Sequence, residues 1–276
     1  MMKYYLELMR VKNCITASFG AFIGGLIASN FNFGYLFVLI LAFLVVFFIC
    51  GFGNVVNDIY DVEIDKLNKP HRPLPSNKIS IKNAWRFAWL LLIFGLVLSF
   101  FNVLCFIIAL INSVMLYLYA KKYKRNKIIG NFIVAYLTGS VFLFGGVAVN
   151  NMPIVTILFL CAMFATWCRE IIKDFEDIDG DMKEGVVSLP IKYGKKSLYI
   201  AAMFIIVAVA LSPLPYIMGI FGEIYLILII LCDLSFLYVI FKAIKNPSKN
   251  IMSKTSKYLK IIMNLVLMCF VLGALM

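Results

Sequence analysis

Long apolar runs alternate along the chain with short polar connections, and this alternation predicts the architecture. Nine apolar segments are long enough to cross about 30 Å of hydrocarbon as helices. They run over Asn13–Ser29, Gly34–Val56, Ala84–Phe101, Val103–Ala120, Ile129–Val149, Pro153–Cys168, Leu198–Ile217, Ile224–Phe241 and Ile261–Met276. The polar connections are of two kinds. All 26 Lys and Arg residues lie in segments 1–12, 58–86, 121–127, 169–196 and 242–260. The alternate connections, near Asn30–Asn32, Asn102, Asn150–Asn151 and Ser212–Glu223, carry none. By the positive-inside rule the N-terminus and every basic loop face the cytoplasm, and nine spans put the C-terminus outside. The expectation is an all-α membrane protein: nine transmembrane helices in one bundle, cytoplasmic N-terminus, a single domain over residues 1–276.

Composition adds exclusions. A chain 63% hydrophobic and 14% charged is not a soluble globular domain. Its net charge of +12 would suggest nucleic acid in a soluble protein, but topology accounts for it here, so no nucleic-acid partner is expected. The first apolar run is too long for a signal peptide and has no small-x-small cleavage pattern. The seven cysteines are scattered through apolar segments without a CxxC pair and read as small core or lipid-facing residues. The single histidine, His71, cannot build a His-based metal site or a His-centred triad alone.

The candidate chemistry starts at residues 53–75, GNVVNDIYDVEIDKLNKPHRPLP, where an apolar span ends in four acidic residues: Asp58, Asp61, Glu63 and Asp65. If the helix continues through Asp65, then Asn57, Asp58, Asp61 and Asp65 share one stripe of its surface. Like charges so placed repel by about 0.2–0.5 kcal/mol per exposed pair, and by more where water is scarce. A divalent cation removes the conflict, and an all-oxygen ligand set favours Mg²⁺ or Ca²⁺ over zinc. Asp174, Asp177 and Asp181 then repeat the spacing of Asp58, Asp61 and Asp65, each displaced by 116 residues. One such cluster is as readily a solvated helix end. Two of matching spacing, each ending an apolar run, point to a site. They also suggest two related halves, 1–127 and 128–245, followed by a ninth helix at 261–276.

The residues around the clusters are mostly ambiguous. Gly20 and Gly24 form a small-xxx-small pair that lets helices approach closely. Asn13 suits substrate contact or an interhelical hydrogen bond equally. Pro70, Pro73 and Pro75 should hold a stiff, extended segment, with Arg72 inside it singled out as a phosphate contact. Tyr117, Tyr119 and the run Lys121–Arg125 read chiefly as interfacial anchors, of which one or two reach the site. Span five carries Asn131, Tyr136, Thr138 and Ser140, to line a cavity or to bond neighbouring helices. Lys173 suits a pair with Asp177 or a diphosphate contact, and Gly180 and Gly185 should loosen the chain around Asp181. Asp233 is a lone intramembrane acid, and residues 242–260 read as a polar connector.

Aspartate clusters converging at the mouth of a helical bundle can hold about two Mg²⁺ ions whose shells are completed by phosphate oxygens. Such a site ionises an allylic diphosphate, and a central cavity in the bundle shields the cation and houses its tail.

Asn57-Asp58-x-x-Asp61-x-x-x-Asp65, then His71-Arg72-Pro73-Leu74-Pro75, and Asp177-x-x-x-Asp181 in the second half resemble the signatures of the UbiA superfamily of intramembrane prenyltransferases. The resemblance covers nearly the whole chain. It implies that Asn57, Asp61, Asp65, Asp177 and Asp181 bind Mg²⁺–diphosphate, with Arg72 and Lys173 on the phosphates. It implies that Arg10 and Asn13 match the family's Arg-x-x-Asn, although Val11 replaces the usual proline. Lys124-Arg125 and Gly130-Asn131 are similar to its middle segment. Asp58 and Asp174, or the diphosphate itself, are candidates for proton acceptor.

Family members differ mainly in acceptor. The run Arg169–Asp181 is most similar to archaeal members that join a geranylgeranyl group to the hydroxyl of geranylgeranylglyceryl phosphate, in archaeal ether-lipid synthesis. That implies a prenyl diphosphate, a lipid phosphate acceptor and membrane lipid as partners, and leaves the oligomeric state open. The alternative within the family is an aromatic acceptor such as hydroxybenzoate. Outside it, a phosphotransferase acting on CDP-alcohols lacks its Asp-Gly and Ala-Arg elements here. A cation-coupled transporter would place its acids near the bilayer midplane, and a purely structural protein would leave both clusters unexplained.

Overall fold

The computed structural model describes residues 2–183 and 185–276. A short helix, α1 (Met2–Met9), precedes the first span, burying Leu8 and Met9 and setting Tyr5 edge-on to Phe87. Arg10 then takes a left-handed conformation, φ 55° and ψ 58°, at about 1–2 kcal/mol for a residue with a Cβ. The break lets α2 (Val11–Ala28) start in a new direction and leaves the Arg10 guanidinium against the end of the next span.

From there the path is antiparallel: α3 (Leu36–Tyr60) with α4 (Val62–Asn68), α5 (Ile81–Ser99), α6 (Val103–Leu118), α7 (Lys127–Ala148), and α8 (Pro153–Glu176) with α9 (Ile178–Lys183). After α10 (Leu189–Tyr193) come α11 (Lys196–Leu211), α12 (Leu214–Ile217), α13 (Glu223–Lys245) and α14 (Lys249–Leu275). Among the described residues nine helical stretches are long and apolar enough to cross a membrane, at the nine positions the apolar runs mark. The β pairing among the described residues is a single isolated bridge, Asn126 to Val187.

Alternation gathers the charged connections at one end of the bundle. Asparagines organise the other: the Asn102 Oδ1 accepts from the Leu104 N–H (2.9 Å) and caps α6, while the Asn151 Nδ2 donates to the Ala28 carbonyl (2.7 Å). Exposed Trp89, Leu90, Ile93, Phe94 and Val97 recur at helical spacing on α5, as do Ile227, Ile230, Leu231, Leu234 and Tyr238 on α13. Such stripes face lipid. Inside, α2 and α7 touch backbone to backbone, so a Cβ built on Gly24 would lie 2.6 Å from the Phe142 carbonyl oxygen.

The structure corrects the sequence reading in three places. Residues 242–260 are not a connector, because α14 starts at Lys249 and its first three turns are polar helix capped by the Ser248 hydroxyl. The proline segment is compact instead of extended. Its prolines occupy successive turns, Ser76 Oγ donates to the Arg72 carbonyl (2.6 Å), and Leu74 and Ile79 are buried. Gly180 lies inside α9 and does not loosen it; the chain turns at Gly185, φ 66°.

Candidate active site

Both acidic clusters are built by one local device. Helix α3 ends at Tyr60, Asp61 takes φ −90° and ψ 0°, and α4 resumes with Asp65 buried. Helix α8 ends at Glu176, Asp177 takes φ −96° and ψ 8°, and α9 resumes with Asp181 buried. The helix expected to run unbroken through Asp65 therefore pauses at Asp61, although the Asp61 N–H still donates to the Asn57 carbonyl (3.0 Å) and the Asp65 N–H to the Asp61 carbonyl (2.8 Å). The stripe survives the pause.

In the first cluster Arg72 Nη1 lies between Asp65 Oδ2 (2.7 Å) and Asp58 Oδ1 (3.3 Å), and Arg10 also pairs with Asp58. Asn57 Nδ2 donates to Asp61 Oδ2 (3.0 Å), on which Lys124 closes as well. In the second cluster Lys127 Nζ lies between Asp174 Oδ1 (3.0 Å) and Asp181 Oδ2 (2.7 Å), while Asn131 Nδ2 donates to Asp174 Oδ2 (2.7 Å). Asp58, Asp61, Asp65, Asp174 and Asp181 are all buried.

One loop joins the two clusters. Helix α6 ends in a π turn over Tyr119–Tyr123, where the Lys124 N–H donates to the Tyr119 carbonyl (3.0 Å), and the wider turn delivers Lys124 to Asp61. The Lys127 N–H donates to the Val187 carbonyl (2.8 Å) and the Val187 N–H to the Arg125 carbonyl (3.0 Å). The loop is thereby pinned to the segment that follows the second cluster. Two lysines three residues apart thus serve one cluster each.

Beside the clusters the bundle encloses a cavity of about 1000 Å³. Its walls are largely apolar (Ile49, Phe144, Leu158, Phe236), with a sparse polar set that includes Asn13, Asn54, Tyr119 and Thr138. Asn13 lines this cavity and joins no ion pair with the clusters. Asp177 and Lys173 are exposed and do not pair; the Lys173 carbonyl accepts the Asp177 N–H (3.0 Å). The Arg125 side chain is also exposed. Of the named candidates, the structure joins Arg10, Asn57, Asp58, Asp61, Asp65, Arg72 and Lys124 in one network and Asp174 and Asp181 in another. Lys173 and Arg125 stay outside both.

Sequence reasoning missed Lys127 and Asn54 as site residues, and left Asn131 and Tyr119 with two readings each, between which the structure decides. Lys127 was counted only among the basic flanks. Its signal was its place at the start of the fifth span, one turn before Asn131.

Among the described residues no three acidic, His or Cys side chains are gathered tightly enough to hold a metal by themselves. The donors nonetheless fit Mg²⁺, which takes one or two carboxylates and fills its shell with water and phosphate oxygens. In each cluster a cationic nitrogen already sits between two aspartates, where a hard cation would be held. Of the clustered aspartates, Asp177 is the one without a side-chain partner among the described residues.

Aspartate clusters at the polar end of an apolar intramembrane cavity define an enzyme for substrates with an anionic head and a long apolar tail. The chain belongs to the UbiA prenyltransferase family, which matches residues 17–267. It is 66% identical over 274 residues to the digeranylgeranylglyceryl phosphate synthase of Methanococcus aeolicus, covering 99% of this chain and 98% of the relative. A solved structure concerned with digeranylgeranylglyceryl phosphate synthase in membranes superposes with a TM-score of 0.97 at 61% identity, covering 99% of this chain and 98% of that one. A UbiA homolog from Archaeoglobus fulgidus, solved bound to GPP and Mg²⁺, shares the fold, with a TM-score of 0.66 at 21% identity over 97% of this chain and 99% of that one.

Proposed function

We propose that this chain is a Mg²⁺-dependent intramembrane prenyltransferase of the cell membrane, acting at its cytoplasmic face. It transfers a geranylgeranyl group from geranylgeranyl diphosphate to the hydroxyl of geranylgeranylglyceryl phosphate. The observation that carries this is the loop that sets Lys124 on one aspartate cluster and Lys127 on the other, and whose π turn places Tyr119 in the wall of an apolar cavity. The full-length relatives supply the acceptor.

Asn57, Asp61 and Asp65 would hold Mg²⁺ on one side and Asp177 and Asp181 on the other; when bound, the metal neutralises the diphosphate and makes it a better leaving group. Arg10, Arg72, Lys124 and Lys127 are placed to exchange aspartate for phosphate oxygens as the diphosphate arrives. The bond between the allylic carbon and the diphosphate oxygen breaks, and its electron pair leaves with the diphosphate. The apolar walls exclude water from the allylic cation and hold its chain. The acceptor oxygen then bonds to that carbon, and its proton passes to the diphosphate or to Asp58 or Asp174. The matching pauses at Asp61 and Asp177 support descent of residues 1–127 and 128–245 from one duplicated unit.

The test offers purified protein in detergent radiolabelled geranylgeranyl diphosphate and Mg²⁺, with geranylgeranylglyceryl phosphate or an aromatic acid as acceptor. Transfer to the glycerol phosphate alone, abolished by EDTA and by Asp61→Ala, is expected. Transfer only to the aromatic acid overturns the acceptor. Absence of metal-dependent diphosphate release with either overturns the enzyme reading.

A further inference from the structure

We propose that Lys260, with Asn264 one turn above it and Asn13 on α2, binds the phosphate of the acceptor and makes the enzyme prefer a phosphorylated glycerol lipid. The inference rests on the function proposed above and assigns that site a specificity determinant.

Lys260 lies in the fourth turn of α14 and lines the cavity, in a stretch whose sequence reads as a connector. The cations of the clusters are all engaged: Arg10, Arg72 and Lys124 on the first, Lys127 on the second. Lys260 is the one cation among the described residues that line the cavity, and it joins no ion pair. The other charged group on the wall, Asp233, accepts from the Ser212 hydroxyl at 2.7 Å and does not pair with it. The amides of Asn264 and Asn13 also line the cavity, and among the described residues neither side chain has a hydrogen-bond partner. Lys260, Asn264 and Asn13 are all exposed and line the cavity, and an ammonium and two amides without side-chain partners among the described residues are a ready set of donors for an anion.

Chemistry selects the anion. The aspartate clusters and their cations serve the diphosphate. The acceptor carries its own phosphate on the same three-carbon unit as its free hydroxyl, so that phosphate must sit within a few bond lengths of the reacting carbon. It therefore needs donors inside the cavity mouth that the diphosphate does not occupy. Lys260 and Asn264, at i and i+4, share one face of α14 and meet that need with Asn13.

The experiment uses the full chain in detergent with Mg²⁺ and saturating geranylgeranyl diphosphate. It compares kcat/KM for geranylgeranylglyceryl phosphate with kcat/KM for geranylgeranylglycerol, which lacks the phosphate. Wild type prefers the phosphorylated acceptor. Lys260→Met lowers that preference by roughly 10- to 100-fold, mainly through KM for the phosphorylated acceptor. Lys260→Arg keeps most of it, and Asn264→Leu lowers it less. Among the described residues Lys260 has no side-chain partner, so its removal strands no buried group there. An unchanged preference in Lys260→Met overturns the proposal and leaves Lys260 as a lysine reaching for the membrane surface. If wild type uses neither glycerol acceptor, the proposed function falls too, and the two failures are distinct.

Discussion

Lys127 holds the second cluster together almost alone, so replacing it with methionine tests the electrostatics of the site. Its Nζ lies 3.0 Å from an Asp174 oxygen and 2.9 and 2.7 Å from the two Asp181 oxygens. At an effective dielectric constant near 20, each charge pair is worth roughly 5 kcal/mol gross, most of it offset by desolvation. The larger effect is what remains afterwards: Asp174 and Asp181, only 3% and 8% exposed, would face each other without a cation. Breaking such a buried pair destabilises by about 3–5 kcal/mol. The Lys127 side chain is 24% exposed, which argues for the lower end. For a chain of this size about 3 kcal/mol corresponds to roughly 6–12 °C in Tm. Thermal unfolding in detergent with EDTA should show that fall. With Mg²⁺ the fall should shrink, because a divalent ion that binds only the folded state takes the place of the ammonium. Adding Asp174→Asn should recover part of the loss, since one of the stranded charges is removed. A fall below about 2 °C in EDTA, or one of equal size in Mg²⁺, would refute the argument.

Two further outcomes separate stability from function. Asp177→Asn should leave Tm in EDTA unchanged, because Asp177 is exposed and forms no ion pair among the described residues. It should cut metal-dependent turnover by about 100-fold or more, as expected for loss of a group that stabilises developing charge; near-normal turnover would remove Asp177 from the metal site. Gly24→Val should behave oppositely at the far end of the span. A Cβ there would sit 2.6 Å from the Phe142 carbonyl oxygen and 2.8 Å from its Cα, and backbone cannot swing aside as a side chain can. Forcing α2 from α7 should cost about 1–3 kcal/mol or more, visible as a lower Tm with or without metal.

Much of this protein is legible in the order of its residues. Apolar run length fixes the nine spans, and the charge asymmetry of the connections fixes which ends lie together, because both are local properties that add along the chain. The matched spacing of Asp58, Asp61 and Asp65 with Asp174, Asp177 and Asp181 marks the site, because helical periodicity converts spacing into a shared face. Which cations serve those aspartates was not legible. Lys127 and Lys173 look alike in sequence, each a basic residue at the polar end of a span, yet Lys127 bridges two buried carboxylates and Lys173 is exposed and joins no ion pair among the described residues. The difference comes from the π turn at Tyr119–Tyr123 and the pinning of the loop to Val187, which depend on contacts across more than 50 residues. Lys260 is the sharper case. It belongs to a basic stretch whose six lysines read equally as topology, and only the packing of α14 against the cavity singles it out. Sequence determines how each segment partitions between lipid and water, whereas the partner of a charge is a relation between distant segments, and only the folded bundle decides it.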